Sequence, residues 1–472
     1  MTDSRLHSEA PNDTDVPGGT ASVEERETDL RFDRRLLAIV GAMVLGAIMA
    51  IFDATIVNVA VDTLGGRFGA PLSAIEWVAT GYLLAFALTV PVSGWAAERF
   101  GGKRVWLAGL TIFLVGSLLS ALSWSVGALI AFRILQGVGG ALLEPTMLTV
   151  LARLAGPRRA GRLLGVIGSL IPLGPVFGPM LGGVILANLP WQWIFLVNLP
   201  IGVAAIVLSA RLLPADEAAP ATGATLDVRG LLLLPPGFAA VVYGLSQAAA
   251  DGFAHPRVLI GLTAGAALLA GYVVHALRRA GNPLVDLRLF ASRGFTASVA
   301  GMFLVGAMLF ALLFALPLHF QQARGLDVLQ AGLLLAPVGV GAFLGMPFAG
   351  RLSDKIGARP LVPVGGLLAG AGGLVFALAG ADAPIGALVP VAAAIGFGFG
   401  LIGAPSMSAV YRSVPAESVP SATGAIYILN QVGAALGVAV IALLLPSGTG
   451  FWWLVALSPL VVLAGLLQPK RA

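Results

Sequence analysis

Cysteine is absent from the 472 residues, which excludes disulfides, thiolate nucleophiles and cysteine-held metal ions. Charge is scarce too: Asp, Glu, Lys and Arg make up 11% of the chain, against roughly 25% in a soluble domain. Lysine occurs at Lys103, Lys355 and Lys470 alone, and none sits in the G-x-x-x-x-G-K-[ST] context of a phosphate-binding loop. No polar stretch is long enough for a nucleotide-binding domain, so no step driven by nucleotide hydrolysis and no cofactor is expected. His275 and His319 fall near the ends of apolar blocks, where surface positions are expected in preference to a proton relay.

What the chain does have is hydrocarbon. Apolar residues make up 58% of it, glycine contributes 62 positions, and the mean hydropathy is +0.93. The apolar residues come in blocks of about 20, the length a helix needs to cross roughly 30 Å of lipid. The class expected is an all-α polytopic membrane protein in a lipid bilayer. The net charge of +5 lies mostly in short loops between blocks, which is a topology signal and not a nucleic-acid surface. Residues 1–34 are polar and mostly acidic (Asp13, Asp15, Glu24, Glu25, Glu27, Asp29) and read as a disordered cytoplasmic tail, without the features of a signal peptide.

Apolar blocks fall near 36–61, 73–95, 105–123, 126–152, 162–187, 192–212 and 229–248, then near 258–277, 294–320, 327–350, 360–380, 384–410, 420–446 and 450–468. The expectation is fourteen spans. If both termini are cytoplasmic, the inner loops hold 17 Lys and Arg residues and the outer loops three (Arg67, Arg257, Arg324). That asymmetry supports the count and the orientation.

Two stretches echo each other: GWAAERFGGKR at 94–104 and GRLSDKIGARP at 350–360, after the second and tenth blocks. EPTM at 144–147 and APSM at 404–407 are a second echo, again eight blocks apart. Internal repeats of this kind build many secondary transporters. A period of eight implies two six-helix bundles, 35–213 and 281–468, separated by two additional helices at 214–280, with a short cytoplasmic tail at 469–472.

These stretches give the chain a family likeness. It resembles the major facilitator superfamily, and within it the fourteen-span drug:proton antiporters of the QacA and EmrB type. IFDATIVNVA (51–60) is similar to that family's first-span motif, although Val61-Asp62 replaces the usual leucine–proline ending. Gly94, Glu98, Arg99, Gly101, Lys103 and Arg104 resemble the superfamily's loop signature, with Glu98 where aspartate is usual; Asp354, Lys355 and Arg359 belong to its second copy. RILQGVGG (133–140) is similar to the fourth-span motif. GPVFGPMLGG (174–183), with Gly174, Pro175, Gly178, Pro179, Gly182 and Gly183, is similar to the antiporter motif of the fifth span. WQWIFLVNLPIG (191–202) resembles a sixth-span stretch, with Gln192 where arginine is common. The likeness covers the chain after about residue 35. It implies a major facilitator fold, an inner gate at the loop signature in which the acid meets a neighbouring helix end and the bases meet acids across the bundle, and antiport.

Among the 23 acidic residues, Asp53 and Glu144 are read as lying well inside spans, and Arg133 is the one base that does. Such residues are costly in lipid and usually face a bundle interior or a wet cavity. At 1.5 Å per residue, Asp53 stands roughly 25 Å up from Leu36, and Arg133 roughly 10 Å below the far end of its span. Those depths nearly coincide, so an Asp53–Arg133 pair, direct or through water, is expected. Glu144 follows Arg133 by 11 residues, on nearly the same helix face and some 16 Å lower, with Gln136 on the same stripe. Asp53, Arg133 and Glu144 are the candidate proton-coupling residues. Glu144, Gln136, Asn58, Tyr82, Asn430 and Gln431 are the candidate substrate contacts. The plainer alternatives stay open: Asp53 and Arg133 as a structural pair, Glu144 snorkelling at a kink beside Pro145, and Asn58 as a helix–helix hydrogen bond.

An intramembrane enzyme would need a nucleophile–base or metal cluster at depth, which the residues do not supply. A channel would be expected to carry repeated polar rings. The reading is a proton-driven exporter of hydrophobic or cationic small molecules, such as drugs, acting as a monomer in the plasma (inner) membrane. The alternative is a major facilitator importer or uniporter, or a transporter of one metabolite or lipid.

Overall fold

The computed structural model describes residues 34–155, 173–216, 226–279, 283–379, 383–414 and 419–469. The acidic tail, Arg158, Arg159, Arg162 and Pro172 lie outside them. Every regular element among the described residues is helical, as lipid requires, because a helix satisfies its own backbone groups. Helix α1 (Arg34–Ile56) tightens into a 3-10 turn at Val57–Ala60 and runs on to Phe68. It is followed by α2 (Leu72–Phe100), α3 (Gly102–Ala121), α4 (Val126–Ala155), α5 (Leu173–Asn188) and α6 (Asn198–Leu212), then α7 (Val228–Asp251) and α8 (Pro256–Arg278). After them come α9 (Arg293–Leu318), α10 (Ala336–Ile356, entered through Val328–Leu333), α11 (Leu361–Leu378), α12 (Ile385–Arg412), α13 (Val419–Leu444) and α14 (Trp452–Leu467). Twelve helical stretches of the described residues are long and apolar enough to cross a membrane. The described parts of α5 and α14, at 16 residues each, are shorter; they stand where the fifth and last of the expected spans fall.

The sequence repeat has a geometric counterpart. Gly101 ends α2 with φ 96° and Gly357 ends α10 with φ 82°, a backbone region where a side chain is strained and glycine is not. Helix pairing repeats with the same offset of eight. α2 packs on α4 as α10 packs on α12, α1 on α5 as α9 on α13, and α3 on α6 as α11 on α14. The two halves meet through α2 against α13 and α5 against α10, contacts that exchange when the halves are swapped.

Helices α7 and α8 have no partners of this repeating kind. They pack chiefly on each other, and α7 also touches α13 and α2. Leu232 on α7 and Ile260 on α8 are each 66% exposed, as expected of helices that face lipid. The helix ends alternate between two faces. One carries Arg34, Gly101, Arg278 and Gly357, and is called here the basic face.

Candidate functional site

Asp53, on α1, is 1% exposed, and Arg133 and Gln136, one turn apart on α4, are fully buried. The helices bring all three together. Arg133 pairs through Nη1 with Asp53 Oδ2. Asp53 Oδ1 accepts hydrogen bonds from Gln136 Nε2 at 2.9 Å and from Asn198 Nδ2 at 2.7 Å. Arg133 Nη1 also donates to Gln136 Oε1 at 2.7 Å, and its Nε to the Val78 carbonyl at 3.1 Å. The guanidinium lies 4.3 Å from the centre of the Tyr82 ring, a cation–π geometry. A buried ion pair depends on its remaining donors and acceptors being met; here the carboxylate has a partner on each oxygen, while Arg133 Nη2 has none among the described residues.

Asn198 was not singled out in the sequence, although it sits in the WQWIFLVNLPIG stretch. It opens α6 and bonds onward to Ser117 Oγ at 3.0 Å, which donates to the Phe195 carbonyl at 2.8 Å. An asparagine in an apolar run signals little by itself; its role shows only once α1 and α6 pack.

Of the six expected substrate contacts, Gln136 and Tyr82 both lie against Arg133, and among the others Asn430 and Glu144 take up separate partners. Both amide ends of Gln136 are occupied by Asp53 and Arg133, because the second carboxylate oxygen requires a donor. Tyr82 is buried under the guanidinium and donates to the Ala50 carbonyl at 3.4 Å. Asn58 is buried in the 3-10 turn, its Nδ2 without a partner. Asn430 donates to the Met302 carbonyl at 2.7 Å and so ties α13 to α9. Gln431 is half-buried on α13. Glu144 alone reaches the opposite half: the Tyr427 hydroxyl on α13 donates to its Oε1 at 3.0 Å. Tyr427 is a second residue that the sequence did not mark.

The antiporter-motif helix is seated on α1 by glycines. Thr55, two residues from Asp53, donates through Oγ1 to the Gly174 carbonyl at 2.9 Å. A Cβ at Gly178 would sit 3.1 Å from the Phe52 carbonyl oxygen, and one at Gly182 would sit 2.9 Å from that of Ile56. Pro175 and Pro179 lie within α5. Gly183 faces Val328 and Leu329 across the halves. On that same side Gln322 Nε2 donates to Asp62 at 2.8 Å, and Gln321 Nε2 to the Val59 carbonyl at 3.4 Å. These contacts close the face opposite the basic one.

The loop signature differs from the arrangement that the family likeness implies. Glu98 and Arg99 are exposed at the end of α2, as are Asp354 and Lys355 in the last turn of α10, and Arg359 is half-buried. Among the described residues no ion pair joins the two copies. The acid that meets a helix end is Asp216, beyond α6: it accepts from the backbone of Lys103 at 2.8 Å and of Arg104 at 3.0 Å. Unpaired N–H groups and the positive dipole end of α3 draw a carboxylate there. Lys103 Nζ turns to the carbonyls of Ala210 and Leu213, at 2.8 and 2.7 Å.

Three titratable residues stand differently from the reading of the sequence. Glu76 is a third acid inside a span, fully buried on α2, and neither carboxyl oxygen has a hydrogen-bond partner. Ser246 on α7, the polar side chain beside it, donates to the Ser73 carbonyl at 2.8 Å and accepts from the Trp77 indole at 3.2 Å. The position of Glu76 near the start of α2 hid its depth. His275 is not a surface histidine, since its Nε2 lies 2.8 Å from buried Asp227. His319 packs edge-on against Phe451, ring centres 5.2 Å apart.

The profile of the Major Facilitator Superfamily matches residues 43–438. The chain belongs to the major facilitator superfamily. As a member it is a multi-pass membrane transporter and not an enzyme. It is 39% identical to the Multidrug resistance protein B homolog of Mycobacterium tuberculosis H37Rv, over 91% of this chain and 80% of that one. It is 30% identical to the Tetracenomycin C resistance and export protein of Streptomyces glaucescens, over 87% and 76%. Among solved structures, the peptide transporter POT in complex with sulfate superposes with a TM-score of 0.70 at 15% identity, covering 94% of this chain and 97% of that one. The D-xylose-proton symporter gives 0.65 at 17%, covering 92% and 98%. At such identities the likeness is one of major facilitator fold.

Proposed function

We propose that this chain is a proton-coupled exporter of hydrophobic or cationic small molecules, an antiporter of the fourteen-span kind. Both termini are then cytoplasmic, with α5 and α14 completing the span count and α7–α8 inserted between the bundles. The names of the relatives, which speak of multidrug resistance and tetracenomycin export, support the export of drugs. The loop charges support the orientation.

The observation that carries the reading is the Asp53 carboxylate, buried and held by Arg133, Gln136 and Asn198. A proton carrier needs opposed influences on its acid: burial favours the neutral form, and a neighbouring guanidinium favours the ion. With the face opposite the basic one closed, Asp53 is paired with Arg133. Loosening of the Arg133 contact in the alternate state lets it take a proton, and re-formation releases it on the cytoplasmic side. Glu144, bridged to the other half through Tyr427, receives cationic cargo from the basic face.

In everted vesicles energised acid-inside, adding a compound that cells extrude is expected to dissipate the pH gradient. No dissipation by any extruded compound would refute proton antiport. The direction of flux under an imposed gradient separates this reading from an importer or uniporter.

A further inference from the structure

The ends of α7 and α8 on the basic face enclose a cavity of about 520 Å³ that the transport cycle above does not use. Its base is organised by Asp227, 2% exposed. This carboxylate accepts from the backbone of Gly230 at 3.0 Å and of Leu284 at 3.3 Å, and from Arg279 Nη1 at 2.9 Å, and it shares a hydrogen bond with His275 Nε2 at 2.8 Å. Burial alone would push its pKa up; the Gly230 N–H, His275, the Leu284 N–H and Arg279 outweigh that and hold it below the usual carboxylate range. Asp227 therefore stays ionised at neutral pH and balances the charge of Arg279.

Two bases on the cavity wall have no such partner. Arg229 and Arg278 are exposed, and neither makes an ion pair or hydrogen bond with a described residue. Some other bases on this face are engaged: Lys103 holds carbonyls at the end of α6, and Arg288 Nη2 donates to the Arg279 carbonyl at 2.9 Å. With Asp227 and Arg279 cancelling, the cavity keeps two guanidinium charges that no described residue compensates. Its rim is apolar, Val228 being 57% and Val274 47% exposed. Exposed apolar side chains continue up α7 at Leu232 and stand beside the cavity on α8 at Val273 and Leu277. Because α7 begins at Val228 and α8 ends at Arg278, the cavity lies where the spans leave the hydrocarbon.

We infer that this cavity binds the phosphate headgroup of an anionic phospholipid, with its acyl chains lying along α7 and α8. Guanidinium pairs recognise phosphate. Basic pockets between helices on the cytoplasmic side suit lipid headgroups. A soluble phosphate would use the same two arginines but leave the apolar rim uncovered. The inference rests on the membrane placement of α7 and α8 and not on proton coupling, so the test involves no transport.

The full-length protein in mild detergent is titrated with dioleoylphosphatidylglycerol or dioleoylphosphatidylcholine, and lipid retention is read by native mass spectrometry. The parent is expected to prefer phosphatidylglycerol about tenfold. The double variant Arg229→Gln/Arg278→Gln is expected to lose about that factor while keeping the parent's thermal midpoint. A control variant, Arg34→Gln/Arg35→Gln, removes two bases from the same face outside the cavity and is expected to change little. Equal retention of the two lipids by the parent, equal phosphatidylglycerol retention by parent and cavity variant, or equal losses in the cavity and control variants would overturn the assignment. Displacement of phosphatidylglycerol by millimolar inorganic phosphate would overturn the lipid in favour of a soluble anion.

Discussion

Replacing Asp53 by asparagine changes almost no volume but removes the only acid that pairs with Arg133 among the described residues. The guanidinium would stay fully buried between Tyr82 and Gln136 with no counter-ion. Breaking a buried ion pair from one side costs about 3–5 kcal/mol, because the surviving charge is left uncompensated. The amide also brings two N–H groups to a place where Gln136 and Asn198 already donate, so one donor must lose its acceptor at a further cost of about 1–3 kcal/mol. Asp53→Asn is therefore expected to lower the thermal midpoint clearly and to abolish uphill transport of every substrate. The double variant Asp53→Asn/Arg133→Gln removes both charges and is expected to recover most of the midpoint without recovering transport. Unfolding in detergent and uphill efflux in everted vesicles, measured on the same preparations, separate the two effects. Uphill pumping by Asp53→Asn would refute the proton site. A double variant no more stable than the single one would refute the ion-pair argument.

Glu144→Gln is expected to impair efflux of a cationic substrate several-fold while sparing a neutral one; equal effects on both would remove Glu144 as the cation contact. Glu76→Met replaces a buried carboxyl whose oxygens have no partner by an apolar side chain and is expected to raise the thermal midpoint by a few degrees, checked by the same melt; a lower midpoint would contradict it. The lowered pKa of Asp227 means that its contacts stabilise the protein above its unfolded value of about 4. That contribution is lost as the pH falls through the still lower folded value. Thermal midpoints compared between about pH 6 and pH 3 should therefore drop more in the parent than in Asp227→Asn, and parallel curves would argue against the clasp.

The helical rise and the scarcity of charge made the pairing of Asp53 with Arg133 legible, because two opposite charges at one depth in lipid have few other solutions. The eightfold offset was legible from the loop echo, and the helix pairs follow it. Asn198 and Tyr427 were not, because a single amide or phenol in an apolar run is ambiguous until a second helix stands beside it. Glu76 escaped because a residue near the start of a span reads as a boundary position, whereas Ser246 of α7 stands beside it. The capping of α3 by Asp216 was hidden for another reason: a loop carboxylate is placed by the tertiary path of the chain and not by any period in it.

Helix α5 is shaped to behave as a push-rod. Along one edge Gly174, Gly178 and Gly182 put its backbone directly against α1 at Phe52, Thr55 and Ile56, with no long side chain between them to absorb a displacement. Along another edge Gly183 and Pro179 meet Val328, Leu329 and Gly332 of the opposite half. Close-packed interfaces of this kind switch between discrete arrangements and do not stretch. When the halves part on that side, the displacement arrives within two residues of Asp53 as the movement of a rigid element. On the proposed transport cycle, the gap at the far rim and the grip of Arg133 on its carboxylate would be geared together through a stack of small residues.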